Sequence, residues 1–418
     1  MLNLTYNYKL QPTDKQIEQI EHNLSVCKSV WNHALYVRKL WYNSRSCKIN
    51  QCSLFHEYIV EPFDYPNYHT QSAELTSAKK TNTFLKSGNA QAMQQTLRKL
   101  DRAFNDMKSK GMGFPRYKKK ARSFNLLGKI SVEGNYIKMP LLKNIKFRNS
   151  RDIPQRASPH VGFKIKQIQI IKKASGYYAN LMIELDVNVV KPIPHGHAVG
   201  VDAGIQSMIS TSDGLVLTRP KFLDKALRKI ELLQRKLRNK KKGSNKWKQV
   251  QHRIALLHEA VANKRKEYHF SLAYKLCDGV GMIFVEDINF GSWSKGLFGK
   301  QSLDMGLGQF LGILEYVCFK TDTYFSKVDK DYTSQICPSC NAHTGKKDLS
   351  VRVHSCSECG YEQDRDVAAA EVVRNRGLEN IAVGAPVIKR TSAVLGVSSM
   401  SDSFKKQPSN GGLTGAYA

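Results

Sequence analysis

Four cysteines in two closely spaced pairs form the strongest chemical motif of the sequence. Each C-x2-C turn can present two thiolates to one ion, and four sulfur ligands in a tetrahedron suit zinc. Because protein ligands fill the coordination sphere, the pattern predicts one structural Zn²⁺ ion; unrelated buried cysteines are the weaker alternative. The spacing is C-x2-C-x15-C-x2-C, through Cys337, Cys340, Cys356 and Cys359.

The residue that follows each cysteine pair is expected to adopt a left-handed backbone conformation. Gly360 follows the second pair and Asn341 follows the first, and these are the residue types that tolerate this conformation best. His343 and His354 lie nearby, but four thiolates already complete the site, so neither histidine is expected to bind the ion.

Three acidic residues lie where a predicted strand ends or a predicted helix begins. Asp202 lies within VGVDAGI, Glu286 follows the apolar run MIFV, and Asp366 precedes the helical segment VAAAEVVRNRG. Several carboxylates that converge on one point would bind Mg²⁺ through oxygen. Two such ions about 3.5–4 Å apart activate a water and stabilise the leaving oxygen in phosphodiester cleavage.

Each of these acids also has a simpler explanation when it is considered alone. Asp366 could cap its helix, and Glu286 could be the exposed end of a surface strand. Sequence periodicity does not by itself bring the three residues together.

The charge of the chain indicates a polyanionic partner. Lysine and arginine number 65 against 35 acidic residues, which gives a net charge of +30 and a pI near 9.7. Such an excess of positive charge destabilises the compact chain by self-repulsion unless a polyanion neutralises it. A nucleic-acid-binding protein is therefore favoured over a basic protein whose charge serves solubility alone.

Several features favour an intracellular protein. The nine cysteines are odd in number and lack the spacing of a disulfide framework. No apolar run approaches the roughly 20 residues of a membrane helix. The first ten residues resemble a strand and not a signal peptide. We therefore expect a cytoplasmic, nucleoid-associated protein of a prokaryote with no membrane partner, and a monomer.

The first half of the chain is predicted to change from helical to strand-rich. Thr13 and Gln16 form a capping box at the start of a first helix, and a second apolar helical face runs from Met93 to Phe104. After Gly113 the segment GFPRYKKKARSF ends the helical pattern, and a hairpin follows near residue 175. Basic side chains in this part are predicted to contact nucleic acid: Arg116, Lys118, Lys119, Lys120, Lys164 and Lys166.

The second half contains two long helices that meet at the polar turn NKKKGSNK. Three of its lysines, Lys240, Lys241 and Lys242, are predicted to contact phosphate, although a charge run is often only a solvated helix face. The segments GMIFVED and TYFSKVD are predicted strands. Beyond Gly377 the composition predicts a tail that is mostly disordered.

The order and spacing of these pieces resemble the TnpB (OrfB) family of transposon-encoded RNA-guided DNA endonucleases, which are related to type V CRISPR effectors. Each motif is weak alone, but their shared order is specific. The motifs run along nearly the whole chain: YNYKLQPTDKQ, GFPRYKKK, GVDAGI, FVEDIN, YTSQICPSCN, CSECGYEQDRD and AAA.

The resemblance implies that Asp202, Glu286 and Asp366 are the catalytic triad, with Asp364 as a secondary neighbour. It implies Mg²⁺ (two ions, or Mn²⁺) and one Zn²⁺ as cofactors, and guide RNA and double-stranded target DNA as partners. Cleavage is expected next to a short flanking motif, and the zinc ribbon is expected to load nucleic acid at the edge of the active site.

The implied fold is a mixed α/β multidomain protein with a RuvC-like (ribonuclease H-like) nuclease domain. Its parts follow one another along the chain: residues 1–10 as the first strand of a wedge β module, 11–110 as a helical recognition lobe, 111–196 as the wedge β module, 197–334 as the nuclease domain with a basic helical hairpin at 221–275, 335–362 as the zinc ribbon, 363–376 as the last nuclease segment, and 377–418 as the tail.

Three positions depart from the family pattern. Ala368 stands where the family usually has asparagine, which removes a hydrogen-bonding group beside the expected metals. Ala203 replaces the commoner leucine and EDI the commoner EDL, and both keep their apolar character. Two other functions remain open: a guided repressor that no longer cuts, which should lack a triad carboxylate, and a transposase, for which no tyrosine or histidine-pair pattern is present.

Overall fold

The structure is a computed structural model that describes residues 2–46, 64–151, 153, 163–348 and 350–383. The chain divides into two compact units, Met1–Asn188 and Val189–Ala418. Both mix helices and strands, so the protein has the mixed α/β architecture that the sequence predicts. Among the described residues, no helix has both the length and the apolar character needed to cross a bilayer.

The helices of the first unit pack their apolar faces together. The capping box at the start of the first helix is confirmed, since the Thr13 N–H donates to the Gln16 side chain at 3.1 Å. Leu35 and Leu97 are among the residues buried between the first and last of these helices. The helices are α1 (Asp14–Ser46), α2 (Tyr68–Thr81), α3 (Thr83–Lys86) and α4 (Ala90–Lys110).

A seven-stranded antiparallel sheet completes the first unit, and its strand order is β2-β6-β7-β1-β5-β4-β3. The first strand lies inside the sheet, between β7 and β5, and one apolar face of the sheet packs on α1. The strands are β1 (Leu2–Gln11), β2 (Ser123–Leu126), β3 (Ser131–Glu133), β4 (Tyr136–Met139), β5 (Lys143–Arg148), β6 (Phe163–Lys173) and β7 (Gly176–Leu185).

The second unit is built on a five-stranded sheet with the order β10-β9-β8-β11-β12. Strands β8, β11 and β12 run parallel, while β9 and β10 form an antiparallel hairpin at one side. The strands are β8 (Ala198–Asp202), β9 (Ser207–Thr211), β10 (Val216–Thr218), β11 (Met282–Glu286) and β12 (Tyr324–Val328).

Helices cover both faces of this sheet. Ile283 and Val285 face a core made with α6 and α9, whereas Phe284 faces α10 on the other side. The helices are α5 (Asp224–Arg238), α6 (Asn245–Cys277), α7 (Phe290–Trp293), α8 (Gly299–Met305), α9 (Leu307–Lys320) and α10 (Arg365–Ala382). A two-stranded ribbon of β13 (Val353–Ser355) and β14 (Glu362–Asp364) precedes α10.

Helix α10 lies unusually close to the sheet because glycines face it. A Cβ atom at Gly200 would lie 1.9 Å from the carbonyl oxygen of Ala370, and one at Gly377 would lie 2.2 Å from the Phe284 ring. Substitution at either position would therefore push the helix off the sheet.

The structure moves the end of the last predicted nuclease segment beyond residue 376. The helix continues past residue 376 to Ala382, because Gly377 and Ile381 extend its contact with the sheet. The tail predicted to begin at 377 is helical over its first residues. The rest of it, from 384 onward, lies outside the described residues.

Helices α5 and α6 form the predicted helical hairpin. Leu223, Ile230 and Ile254 are buried between them, and the Ser244 hydroxyl caps α6 by accepting from the Trp247 N–H at 3.1 Å. The turn between the helices carries three of the four lysines of the polar segment, Lys240, Lys241 and Lys242.

Candidate metal centres and nucleic-acid contacts

Two of the three acids leave the sheet at the same edge. The parallel register pairs Val201 with Val285, so Asp202 and Glu286 end neighbouring strands at the same level. Side chains alternate along a strand, which places Asp202 on the face of Gly200 and Glu286 on the face of Phe284. This is the face that α10 covers.

The third acid reaches this edge from the first turn of α10. Asp366 accepts a hydrogen bond from the Ser207 hydroxyl at 2.8 Å, and Ser207 begins the strand beside β8. The helix cap is Asp364, whose carboxylate accepts from the N–H groups of Asp366 and Val367. Capping therefore does not explain Asp366.

The pKa of Asp202 shows that the acids are close enough to repel one another. Burial raises this pKa well above its ordinary value, and the charges of Glu286 and Asp366 raise it further. The Ala203 N–H and the Arg365 guanidinium act in the opposite direction but do not compensate. The site therefore opposes ionisation of Asp202 unless a cation is bound.

Glu286 is only 7% exposed and is held by a threonine that the sequence analysis did not assign. The Thr333 hydroxyl donates to its Oε1 at 2.5 Å. Burial raises the pKa of Glu286, while this hydrogen bond and the charges of Arg376 and Lys330 lower it. The signal for Thr333 was present in the motif YTSQ, which precedes the first cysteine pair. The adjacent Asp287 is oriented differently and pairs with Lys327 at 3.8 Å.

Ala368 lies inside the protein. It is 1% exposed in the first turns of α10, next to the equally buried Val367 and Ala369. A methyl group at this position fits the core, and all three of Asp202, Glu286 and Asp366 are present in the sequence.

The four cysteines form a compact cluster. Their Sγ atoms all lie within 4.8 Å of one another, and the Sγ–Sγ distance is 3.6 Å both for Cys337 and Cys359 and for Cys340 and Cys356. Sulfurs at Zn–S distances of about 2.3 Å in a tetrahedron lie about 3.8 Å apart. The cluster thus has the size of a four-sulfur zinc site.

The two cysteine turns have the same backbone hydrogen bonds. The N–H of Asn341 donates to the carbonyl of Cys337, and that of Gly360 donates to the carbonyl of Cys356, each at 3.0 Å. Both Asn341, with φ 59°, and Gly360, with φ 71°, are left-handed, which confirms the expectation.

The surroundings of Cys356 favour a thiolate, whereas, despite the Ala342 N–H, burial and the neighbouring sulfurs raise the pKa of Cys340. The backbone N–H of Cys359 lowers the pKa of Cys356 to about 7. Lys347 has its Nζ shielded from solvent and interacts electrostatically with Cys337 and Cys356. Among the described residues, neither His343 nor His354 belongs to a group that could hold an ion.

The basic segment after α4 is mostly exposed, with one exception. Arg116, Lys119 and Lys120 are open to solvent. Lys118 is half-buried with its ammonium 3.3 Å from the centre of the Trp31 ring, and burial lowers its pKa to about 8. Its position makes it the least accessible of the four proposed contacts.

The other predicted nucleic-acid contacts lie on exposed faces. Lys164 and Lys166 alternate with buried residues on β6, and Lys166 forms an ion pair with Glu184. Lys241 and Lys242 are exposed and Lys240 is half-buried at the turn between α5 and α6. These placements are compatible with binding, and the contacts stay predictions.

Three family models match successive parts of the chain. Residues 1–47 match the helix-turn-helix domain of the OrfB/IS605 group, and residues 181–295 match its "Probable transposase". Residues 308–373 match the "Cas12f1-like, TNB domain". Over the first of these matches the described residues form β1 and the single long helix α1.

Similar proteins match over nearly the full length. One from Streptomyces pristinaespiralis, named "Putative RNA-guided DNA endonuclease", is 27% identical over 91% of this chain and 90% of its own. The "Putative RNA-guided DNA endonuclease InsQ" of Escherichia coli K12 is 27% identical over 91% of this chain and 93% of its own. The fold is similar to that in the "Cas12f1-sgRNA-target DNA complex", with a TM-score of 0.51 at 14% identity, over 87% of this chain and 82% of that one.

Proposed function

This chain belongs to the TnpB (OrfB) family, and on that basis we propose that it is an RNA-guided DNA endonuclease. In this proposal it binds a guide RNA and cuts double-stranded target DNA next to a short motif. The observation that carries the proposal is the convergence of Asp202, Glu286 and Asp366, from three distant segments, on one edge of the sheet.

The strand order supports a RuvC-like assignment for the second unit. An antiparallel hairpin beside parallel strands, with helices on both faces, positions acids at the carboxyl ends of the first and fourth strands of that unit. Ligand sites in open α/β sheets lie outside these strand ends. The sheet thus offers the scaffold that a carboxylate nuclease requires.

The donor set fits divalent metal. Carboxylate oxygens are the ligands that Mg²⁺ and Mn²⁺ prefer, and mutual repulsion among the acids is what a cation relieves. Among the described residues, the four cysteine sulfurs all lie within 4.8 Å of one another, and the ligand oxygens of the three carboxylates do not.

When bound, two such ions supply an activated water and counter-charge for the leaving oxygen. The residues of the chain keep the carboxylates in place for this chemistry. Thr333 orients Glu286, and Ser207 orients Asp366. Because Asp364 caps α10, the carboxylate of Asp366 is available to a metal.

The four cysteines are proposed to hold one structural Zn²⁺ ion. Their tetrahedral size and the matched hydrogen bonds of the two turns support this assignment. Since the ribbon immediately precedes Asp366, zinc binding would also fix the start of α10 and with it the third carboxylate.

The exposed lysines and arginines are proposed to follow the backbones of guide RNA and DNA. Such contacts carry affinity and no sequence information, so base pairing with the guide would supply specificity. A net charge of +30 is consistent with this division.

A guided repressor without cleavage is the weaker alternative. All three carboxylates are present, and Ala368 points to a change in the core and not to the loss of a ligand. A strand-joining transposase is suggested only by the description of the family model that residues 181–295 match. The sequence shows no tyrosine or histidine-pair pattern for covalent strand transfer.

The direct test begins with the RNA that copurifies with the protein. Sequencing this RNA defines the guide, and a duplex that matches the guide is then incubated with the complex and Mg²⁺. Cleavage that requires both guide match and metal supports the proposal. Guided binding without cleavage in Mg²⁺ or Mn²⁺ would favour the repressor.

A further inference from the structure

Tyr332 is an exposed aromatic residue in a backbone conformation that tyrosine rarely adopts. Its φ of 60° and ψ of 15° are left-handed, a region that favours glycine and asparagine. The residue is 60% exposed, so burial of the ring gives little compensation for this conformation. Folding alone therefore does not explain a tyrosine at this position.

The residue lies beside the carboxylate site. Its neighbour Thr333 donates to Glu286 at 2.5 Å, and consecutive Cα atoms are about 3.8 Å apart, so the Cα of Tyr332 lies within about 9 Å of the Glu286 carboxylate. The segment is anchored on its other side, where Arg376 donates to the carbonyl of Asp329 at 2.8 Å. The backbone on both sides of Tyr332 is thus anchored near the acids.

A second exposed aromatic ring lies next to Tyr332. The His343 ring, in the first cysteine turn, contacts it edge-on with the ring centres 5.6 Å apart. The Gly345 N–H donates to the Nδ1 of His343 at 3.3 Å, which fixes the imidazole. With the residue 60% exposed, much of the Tyr332 side chain stays open to solvent beside this contact.

We propose that Tyr332 is a nucleobase-stacking residue that positions the DNA strand being cut. This inference rests on the proposed function. It assigns to Tyr332 the role of orienting a base close to the scissile phosphate. Every base has a flat π face, so stacking on an aromatic ring fixes a single strand without selecting its sequence. The exposed Lys330, whose ammonium pairs with Asp331 at 2.9 Å, lies two residues away.

The first experiment uses 2-aminopurine, a fluorescent base that is quenched by stacking. It is placed at one position at a time near the cut in a guided duplex, with the Asp202→Ala protein so that the DNA stays intact. We expect quenching at one or two positions, lost with Tyr332→Gly and kept with Tyr332→Phe. Glycine accepts the left-handed backbone, so the loss cannot be attributed to misfolding. Tyr274→Ala, which removes another exposed tyrosine of the same unit, should change nothing.

The second experiment measures cleavage with Asp202 intact. We expect Tyr332→Gly to lower the single-turnover rate by roughly 5- to 100-fold, as loss of one stacked base would, with the half-maximal Mg²⁺ concentration unchanged. A shift in the Mg²⁺ requirement would mean that Tyr332 acts only through Thr333 and Glu286, and would overturn the inference.

The outcomes also separate this inference from the proposed function. If the unmodified protein cuts guided DNA and Tyr332→Gly matches it in rate and fluorescence, stacking is excluded while the nuclease stands. If no guided complex forms, the proposed function fails. Stacking is then tested by the fluorescence of a single-stranded 2-aminopurine oligonucleotide mixed with the protein alone. Equal fluorescence with unmodified protein and Tyr332→Gly would then overturn it.

Discussion

The carboxylates and the cysteines of the second unit are both candidate metal sites, and they are built in opposite ways. The cysteines come from two short turns, with sulfurs 3.6 Å apart in pairs and the cation Lys347 close by. The carboxylates come from two strands and a helix, and their repulsion raises the pKa of Asp202.

The difference shows what each site does for the fold. A small ribbon with little core depends on its ion, because binding energy is folding energy in such units. The carboxylates lie on a sheet that already has a core on both faces, so their repulsion opposes the stability of the fold. Removing a ligand should therefore have opposite effects on stability at the two sites.

The largest effect is expected on cleavage when one carboxylate is removed. Asp202→Ala should lower guided cleavage by several orders of magnitude, because a metal ligand is lost. Guided DNA binding should persist, since base pairing and distant basic residues supply affinity. A gel that separates cut, bound and free DNA measures both. Asp213→Ala, which changes an exposed acid after β9, is the control and should cut normally; normal cutting by Asp202→Ala would refute the triad.

The next largest effect is expected at the cysteines. Cys356→Ser should release zinc and unfold the ribbon, since structural zinc contributes on the order of 10–16 kcal/mol of apparent binding energy. Metal analysis and a chelator titration measure this loss. Cys318→Ser alters a buried thiol outside the cluster and should retain the ion. Absence of zinc from the unmodified protein would show that the four cysteines do not form a zinc site.

A smaller effect is expected when a carboxylate loses its hydrogen-bond donor. Thr333→Val should cost about 10- to 100-fold in Mg²⁺ affinity or cleavage rate, as outer-shell changes at metal sites typically do. The test is the Mg²⁺ dependence of cleavage, with Thr218→Val on the exposed end of β10 as the matched control. An unchanged Mg²⁺ dependence would mean that Glu286 is oriented by the sheet alone.

The stability contrast can be tested without cleavage. A raised pKa means that the folded protein holds the Asp202 proton more tightly than the unfolded chain does. The resulting stability is complete below the unfolded pKa of about 3.9 and is lost as pH rises through the raised folded pKa. In EDTA, Asp202→Asn should therefore melt above the unmodified protein at pH 7, with the difference shrinking towards pH 4. A lower melting temperature for the asparagine variant at pH 7 would show that the carboxylates stabilise the fold.

The smallest effect is expected where charge is exposed and holds no metal. Replacing Lys240, Lys241 and Lys242 by alanine should flatten the salt dependence of RNA binding by about 0.7–0.9 per lost phosphate contact. Binding measured across a salt series tests this, and arginine at the same three positions should preserve the slope. An identical slope with alanine would identify the run as a solvated turn.

The sequence alone was sufficient where a feature depends on near neighbours in the chain. The cysteine spacing predicted the cluster and its two left-handed residues, because each turn closes within a few residues. The capping box at Thr13 and Gln16 was predictable for the same reason. The triad residues were named from their strand-end context and from the family resemblance, and their catalytic role stays a prediction.

Only the tertiary structure decided what depends on how distant segments approach. The register of β8 on β11 sets Asp202 level with Glu286, and the missing side chain of Gly200 lets α10 bring Asp366 to them. Sequence periodicity carries no information on such contacts, because a glycine that permits close packing looks the same as one that ends a helix. For that reason the composition predicts a tail from Gly377 onward, although this glycine packs against Phe284.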